Sequence, residues 1–109
     1  MSNINPIALI VDDEPDICEL IKMTLARMDV TCDTSTSLDD AMSLLDRQQY
    51  DLCITDLRLK SDSGLDLIKH IHTNHPQTPV AMITAHGNIE AAVDALKAGA
   101  FDFVSKPVS

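Results

Sequence analysis

Five short apolar runs, separated by stretches in which apolar residues recur every three or four positions, constrain this chain more than any other feature. Residues 7 to 11, Ile-Ala-Leu-Ile-Val, are too few for an ordinary helix and rich in β-branched side chains, which suits a strand covered on both faces. The run stops at Asp12 and Asp13. Pro15 fits the first turn of a helix, where its missing N–H costs nothing, and Ile17, Leu20, Ile21, Leu25 and Met28 predict one apolar stripe along it.

The same grammar recurs down the chain. Val30 to Asp33 is a short second strand, after which Ser37 and Asp40 stand at capping-box spacing ahead of a helix marked by Leu38, Ala41, Met42 and Leu45. Residues 51 to 55 read as a third strand ending at Asp56. An irregular stretch follows, then a third helix marked by Leu65, Leu67, Ile68 and Ile71, whose period breaks at His75. Pro76 and Pro79 bracket a turn before a fourth strand, Val80 to Thr84. Asn88 is placed to cap a fourth helix with a face of Ile89, Ala92, Val93 and Leu96, and Gly99 to end it. Ala100 to Val104 is the fifth strand, with Lys106 and Pro107 beyond it.

Strands alternating with helices specify an α/β fold with a mostly parallel sheet and right-handed crossovers, because each helix must cover a face of the sheet. A chain of 109 residues supports one core, and this one shows no linker or low-complexity tract, so a single domain is expected. With 17 Asp and Glu against 8 Lys and Arg, the formal charge of −9 argues against direct binding to a nucleic-acid backbone. No apolar run approaches the roughly 20 residues of a membrane helix, and the amino terminus lacks a signal-peptide pattern, so a cytoplasmic protein without membrane contact is expected. Cys18, Cys32 and Cys53 are odd in number and lack CxxC spacing, which predicts buried inert thiols rather than a disulfide framework.

In open parallel sheets the ligand crevice lies beyond the carboxyl ends of the strands. That rule selects Asp12 and Asp13 after the first strand, Asp56 after the third, Thr84 after the fourth and Lys106 after the fifth. Taken singly each has a plainer reading: Asp13 or Glu14 as a helix cap, Thr84 as a turn cap, Lys106 as a solvated side chain. Their agreement at four strand ends outweighs these. Three clustered carboxylates require protons or a cation, and oxygen ligands favour a hard ion such as Mg²⁺. Carboxylates, a hydroxyl, an ammonium and a divalent ion together match the needs of phosphoryl transfer, with Asp56 as acceptor.

The motifs Val11-Asp12-Asp13-Glu14, Thr55-Asp56-Leu57, Thr84-Ala85 and Lys106-Pro107, in this order and spacing, resemble the receiver domain of two-component response regulators from Ile7 through Pro107. Within that family, residues 98 to 107 resemble regulators of the nitrogen-regulatory, sigma-54-activating type. The resemblance implies a doubly wound, flavodoxin-like, five-stranded sheet of order 2-1-3-4-5. It also implies that Asp56 takes a phosphoryl group from a phosphohistidine of a sensor histidine kinase, so that the domain catalyses its own phosphorylation and dephosphorylation. Asp12, Asp13, Asp56 and the carbonyl of Arg58 would hold Mg²⁺. Lys106 and Thr84 would contact the phosphoryl oxygens, Phe103 would be the switch aromatic, and Arg58 and His86 would tune dephosphorylation. Read from its residue type alone, Phe103 is core or half-buried packing.

The same resemblance places the output or dimer surface on the fourth helix and fifth strand, and implies a homodimer. DNA and sigma-54 RNA polymerase would be reached only through effector domains that this chain lacks. Receivers have a fifth helix; the chain stops two residues after Pro107, so that helix is expected to be missing. The Lys106–Pro107 bond is expected to be cis, and Lys60-Ser61-Asp62-Ser63-Gly64 departs from the Met-Pro segment of many relatives. His70, His72, His75 and His86 offer no convincing tetrahedral metal spacing and read as solvated or capping residues. Competing functions are a binding-only pseudo-receiver and, more remotely, a small phosphatase or nucleotide-binding enzyme. The latter lacks a GxxxxGK[ST] or GxGxxG loop.

Overall fold

The computed structural model describes residues 5–84 and 89–106. Among these, β1 (Ile7–Val11), α1 (Pro15–Ala26), β2 (Thr31–Ser35), α2 (Leu38–Arg47), β3 (Leu52–Asp56), β4 (Arg58–Leu59), β5 (Asp62–Ser63), α3 (Gly64–Asn74), β6 (Val80–Thr84), α4 (Ile89–Ala98) and β7 (Asp102–Ser105) follow in chain order. The five long strands form one parallel sheet of order β2-β1-β3-β6-β7, the expected 2-1-3-4-5 once the short β4 and β5 are set aside.

Alternation along β1 divides the core between the two faces of the sheet. Leu9 and Val11 join the larger cluster with Leu38, Leu45, Tyr50, Leu67, Ile68, Ile71 and Met82 under α2, α3 and α4. Ala8 and Ile10 join Cys18 and Cys32 under α1. Cys18, Cys32 and Cys53 are buried and unpaired, as expected. Ser37 caps α2 by accepting the Asp40 N–H at 3.2 Å, which supplies one half of the expected capping box. Gly99 takes φ +125° and ends α4, where the Ala100 N–H reaches back to Ala95 O at 2.9 Å.

Four expectations need correction. The second strand starts and ends later than expected, at Thr31–Ser35, because its register is set by pairing with all of β1. The fifth strand is Asp102–Ser105 rather than Ala100 to Val104; Ala100 is buried in the turn after α4, and β7 is an exposed edge. The irregular stretch after Asp56 contains an antiparallel hairpin pairing Arg58 with Ser63 and Leu59 with Asp62.

The fourth correction concerns helix faces. α4 buries Ala91, Ala92 and Ala95 and exposes Ile89, Val93 and Leu96, so small side chains let it lie close to the sheet while its larger apolar residues point outward. On α1, Leu20 is exposed and Cys18 is the buried position, while Met28, expected on the same stripe, lies exposed beyond the helix end at Ala26. A groove of about 300 Å³ runs beside α1, lined by Leu20, Ile21, Leu25, Ile54, Ile83 and Val104. No helix among the described residues is long and apolar enough to cross a membrane. The expected cap at Asn88 and the Lys106–Pro107 bond lie outside the described residues.

Candidate functional site

Parallel register brings the strand ends together. β1 pairs with β3 at Val11 and Thr55, so Asp12 and Asp56 leave the sheet side by side; β6 pairs with β7 at Thr84 and Ser105, which sets Lys106 next to Thr84. The Lys106 N–H donates to Thr84 O at 2.7 Å, extending the ladder one step beyond the strands. Carboxylate oxygens of Asp12, Asp13 and Asp56 all lie within 4.8 Å of one another.

Lys106 Nζ is the cation among them. It stands 3.2 Å from Asp56 Oδ2, 3.6 Å from Asp12 Oδ2 and 2.8 Å from Glu14 Oε1. Burial works against its charge, but hydrogen bonds to Glu14 and Asp56 outweigh this and raise its pKa above that of a free lysine. Asp12 is fully buried. Its Oδ1 accepts the Glu14 N–H at 2.9 Å, while its Oδ2 is buried with no hydrogen bond among the described residues. Burial pushes its carboxyl up to about 6, with the neighbouring Asp56 adding to the rise. Asp56 is also raised by burial, against the opposing pull of Lys106.

Asp13 Oδ2 accepts the backbone N–H of Lys60 at 3.0 Å, across 47 residues of sequence, from the tip of the β4–β5 hairpin. Lys60 reaches it in a left-handed conformation, φ 59°. Behind Asp56, Gly64 donates to Leu57 O at 2.7 Å, and a Cβ there would collide with Asp56 O. The first residue of α3 therefore packs directly on the peptide of Asp56.

The structure thus gathers Asp12, Asp13, Asp56 and Lys106 in one crevice, with buried Thr84 at the adjacent strand end. Arg58 follows in β4 with its side chain exposed. Phe103 is not packed in the core: it lies on edge strand β7 and is 39% exposed. His86 and Ala85 fall outside the described residues. Neither Asp13 nor Glu14 caps α1 through its side chain, since Glu14, the N-cap by position, makes no side-chain capping bond. Glu14 instead faces Lys106, a partnership that only the fold reveals because 92 residues separate them.

The donor set fits a hard divalent ion. Oxygens of three carboxylates converge, Asp12 also carries a buried oxygen without a hydrogen bond among the described residues, and burial has raised two of the carboxyls, a cost that a cation would offset.

The model of the response regulator receiver domain matches residues 8–109. Response regulator protein PilR of Pseudomonas aeruginosa is 57% identical over 101 residues, covering 93% of this chain and 23% of that protein. The chain therefore spans about a quarter of that relative's length. The crystal structure of the receiver domain of NtrX from Brucella abortus superposes with a TM-score of 0.88 at 38% identity, covering 94% of this chain and 87% of that one. A response regulator from Burkholderia pseudomallei, crystallised with a phosphorylated aspartic acid, a calcium ion and citrate, gives a TM-score of 0.88 at 27% identity over 96% of this chain and 62% of that one. On fold, strand-end geometry and these matches, the chain belongs to the response regulator receiver domain family.

Proposed function

We propose that this domain takes a phosphoryl group onto Asp56 from a phosphohistidine of a sensor histidine kinase and transmits the change through α4 and β7. The observation that carries this reading is Lys106 Nζ held 3.2 Å from Asp56 Oδ2 inside a three-carboxylate crevice. An Asp56 oxygen attacks phosphorus as the donor's P–N bond breaks. The imidazole leaves with its electron pair, and an acyl phosphate forms. Lys106 pairs with Asp56 beforehand and with a phosphoryl oxygen afterward, and the Thr84 hydroxyl donates to another. Mg²⁺ on Asp12, Asp13, Asp56 and the Arg58 carbonyl would neutralise charge on the transferring group. By the family resemblance, Arg58 and His86 would tune the lifetime of the product. The phosphorylated aspartic acid in the Burkholderia pseudomallei relative supports this reading.

Ile89, Val93 and Leu96 on α4 and Phe103 on β7 are already exposed, which suits a surface for a second copy or an effector. Phe103 has no hydroxyl, so its part in the switch rests on packing alone. The groove beside α1 suits a fifth helix. In the full-length protein, by likeness to its sigma-54-activator relatives, the domain would govern an ATP-hydrolysing and DNA-binding output in the cytoplasm.

The test is intact mass after incubation with Mg²⁺ and acetyl phosphate. A labile gain of about 80 Da that is absent from Asp56→Asn is expected. A wild-type protein that gains no mass from acetyl phosphate or from a cognate kinase overturns the proposal.

A further inference from the structure

A second cluster of ligating side chains lies toward the opposite end of α3 from the phosphoacceptor peptide, where α2 and α3 end. Asp46 sits in the last turn of α2, His70 in the penultimate turn of α3 and His75 at its C-cap. His75 Nε2 is 2.9 Å and His70 Nε2 3.5 Å from the same oxygen, Asp46 Oδ1. One ligand atom from each of the three lies within 4.8 Å of the others. The His70 Nε2 atom is screened from solvent yet makes no hydrogen bond among the described residues.

We propose that Asp46, His70 and His75 form a binding site for a divalent transition ion of the Zn²⁺ class. Two ligands bound to one tetrahedral ion at about 2.0–2.2 Å stand roughly 3.3 Å apart, and the observed 2.9 and 3.5 Å bracket that spacing. Two imidazoles with one carboxylate select a borderline metal over Mg²⁺. A cavity of about 240 Å³, lined by Asp46, His75, Gln77 and Thr78 among others, leaves room for water as a fourth ligand. The histidine spacing alone offers no such site; Asp46, contributed by α2, and the departure of His75 from helical geometry, φ −136° and ψ 58°, bring the three ligands together.

An acidic side chain in the last turn of α2 also opposes the helix dipole, and a bound cation corrects this. For Nε2 to ligate, His70 carries its proton on Nδ1. Asn74, whose Nδ2 is 3.2 Å from that nitrogen and donates to His70 O at 3.1 Å, gives up the latter bond to turn its amide oxygen toward Nδ1. The ion pins the C-terminal ends of α2 and α3 together, remote from the carboxylates of the strand ends.

Zn²⁺ alone is titrated into chelator-treated protein at pH 7 with excess Mg²⁺ present, following histidine ring resonances and thermal stability. Expected are stoichiometric shifts of the His70 and His75 ring signals and a rise in Tm. Affinity falls about tenfold or more in His70→Ala and His75→Ala and is retained in Asp13→Asn. Should either alanine variant lose its dispersed spectrum, Asp46→Asn, at an exposed position, carries the same comparison. Unmoved ring signals, equal affinity in the ligand variants, or loss of binding in Asp13→Asn each overturn the site.

Discussion

Lys106 donates to Glu14 at 2.8 Å, a shorter contact than the 3.2 Å it makes to Asp56. The resting ammonium is thus shared between an exposed carboxylate and a buried one. Because the Glu14 side chain is 58% exposed, Glu14→Gln is expected to cost under about 1 kcal/mol in urea unfolding. Lys106→Met leaves Asp12 and Asp56 without their cation and is expected to cost about 1–3 kcal/mol. Equal losses in the two variants would contradict this ranking.

The Asp12 carboxyl, raised from 3.8 to about 6, makes the metal-free fold sensitive to pH. A raised carboxyl pKa means that the folded state holds the proton more tightly than the unfolded chain does. Its favourable contribution is complete below about pH 4, declines as pH rises through the folded pKa and is gone above it. The span is up to about 3 kcal/mol. Stability of wild type relative to Asp12→Asn should therefore fall across this window. Saturating Mg²⁺ should flatten the trend, since the ion favours the ionised form. A flat difference without metal would show that Asp12 ionises normally.

Gly64→Ala tests the contact between α3 and the acceptor peptide. The added methyl meets Asp56 O, a backbone atom that cannot swing aside, so a loss of about 1–3 kcal/mol is expected. Phosphoryl uptake measured by mass should slow with it. Unchanged stability and uptake would mean that the helix start shifts freely.

The inverted face of α4 gives opposite outcomes for adjacent residues. Ala95→Leu forces bulk against the sheet and should cost about 1–3 kcal/mol, whereas Leu96→Ser should change unfolding by less than about 0.5 kcal/mol. Comparable costs at both positions would place Leu96 in the core.

Strands such as Ile7–Val11 and Val80–Thr84 were legible because burial on both faces leaves an unbroken apolar run, and the strand ends followed from the alternation with helices. α4 was misjudged because the largest apolar residues normally mark the inward face; here alanines occupy it, and residue type alone does not report helix-to-sheet distance. The hairpin Arg58–Ser63 was invisible because two-residue strands carry no period. Asp12, Asp13, Asp56 and Lys106 were found through their strand ends. Glu14 was read only as a cap or motif neighbour, and the Lys60 amide on Asp13 is a backbone group that no residue type announces.

The backbone hydrogen bond that joins the strand ends at Thr84 and Lys106 has a mechanical meaning. Their backbones are tied at 2.7 Å, so the hydroxyl and the ammonium proposed to grip a phosphoryl group ride on one stiff plate. Displacing that plate moves both grips together. A signal arriving from the sheet edge and a signal arriving from the acceptor therefore share a single degree of freedom, and variants that soften the tie should slacken both at once.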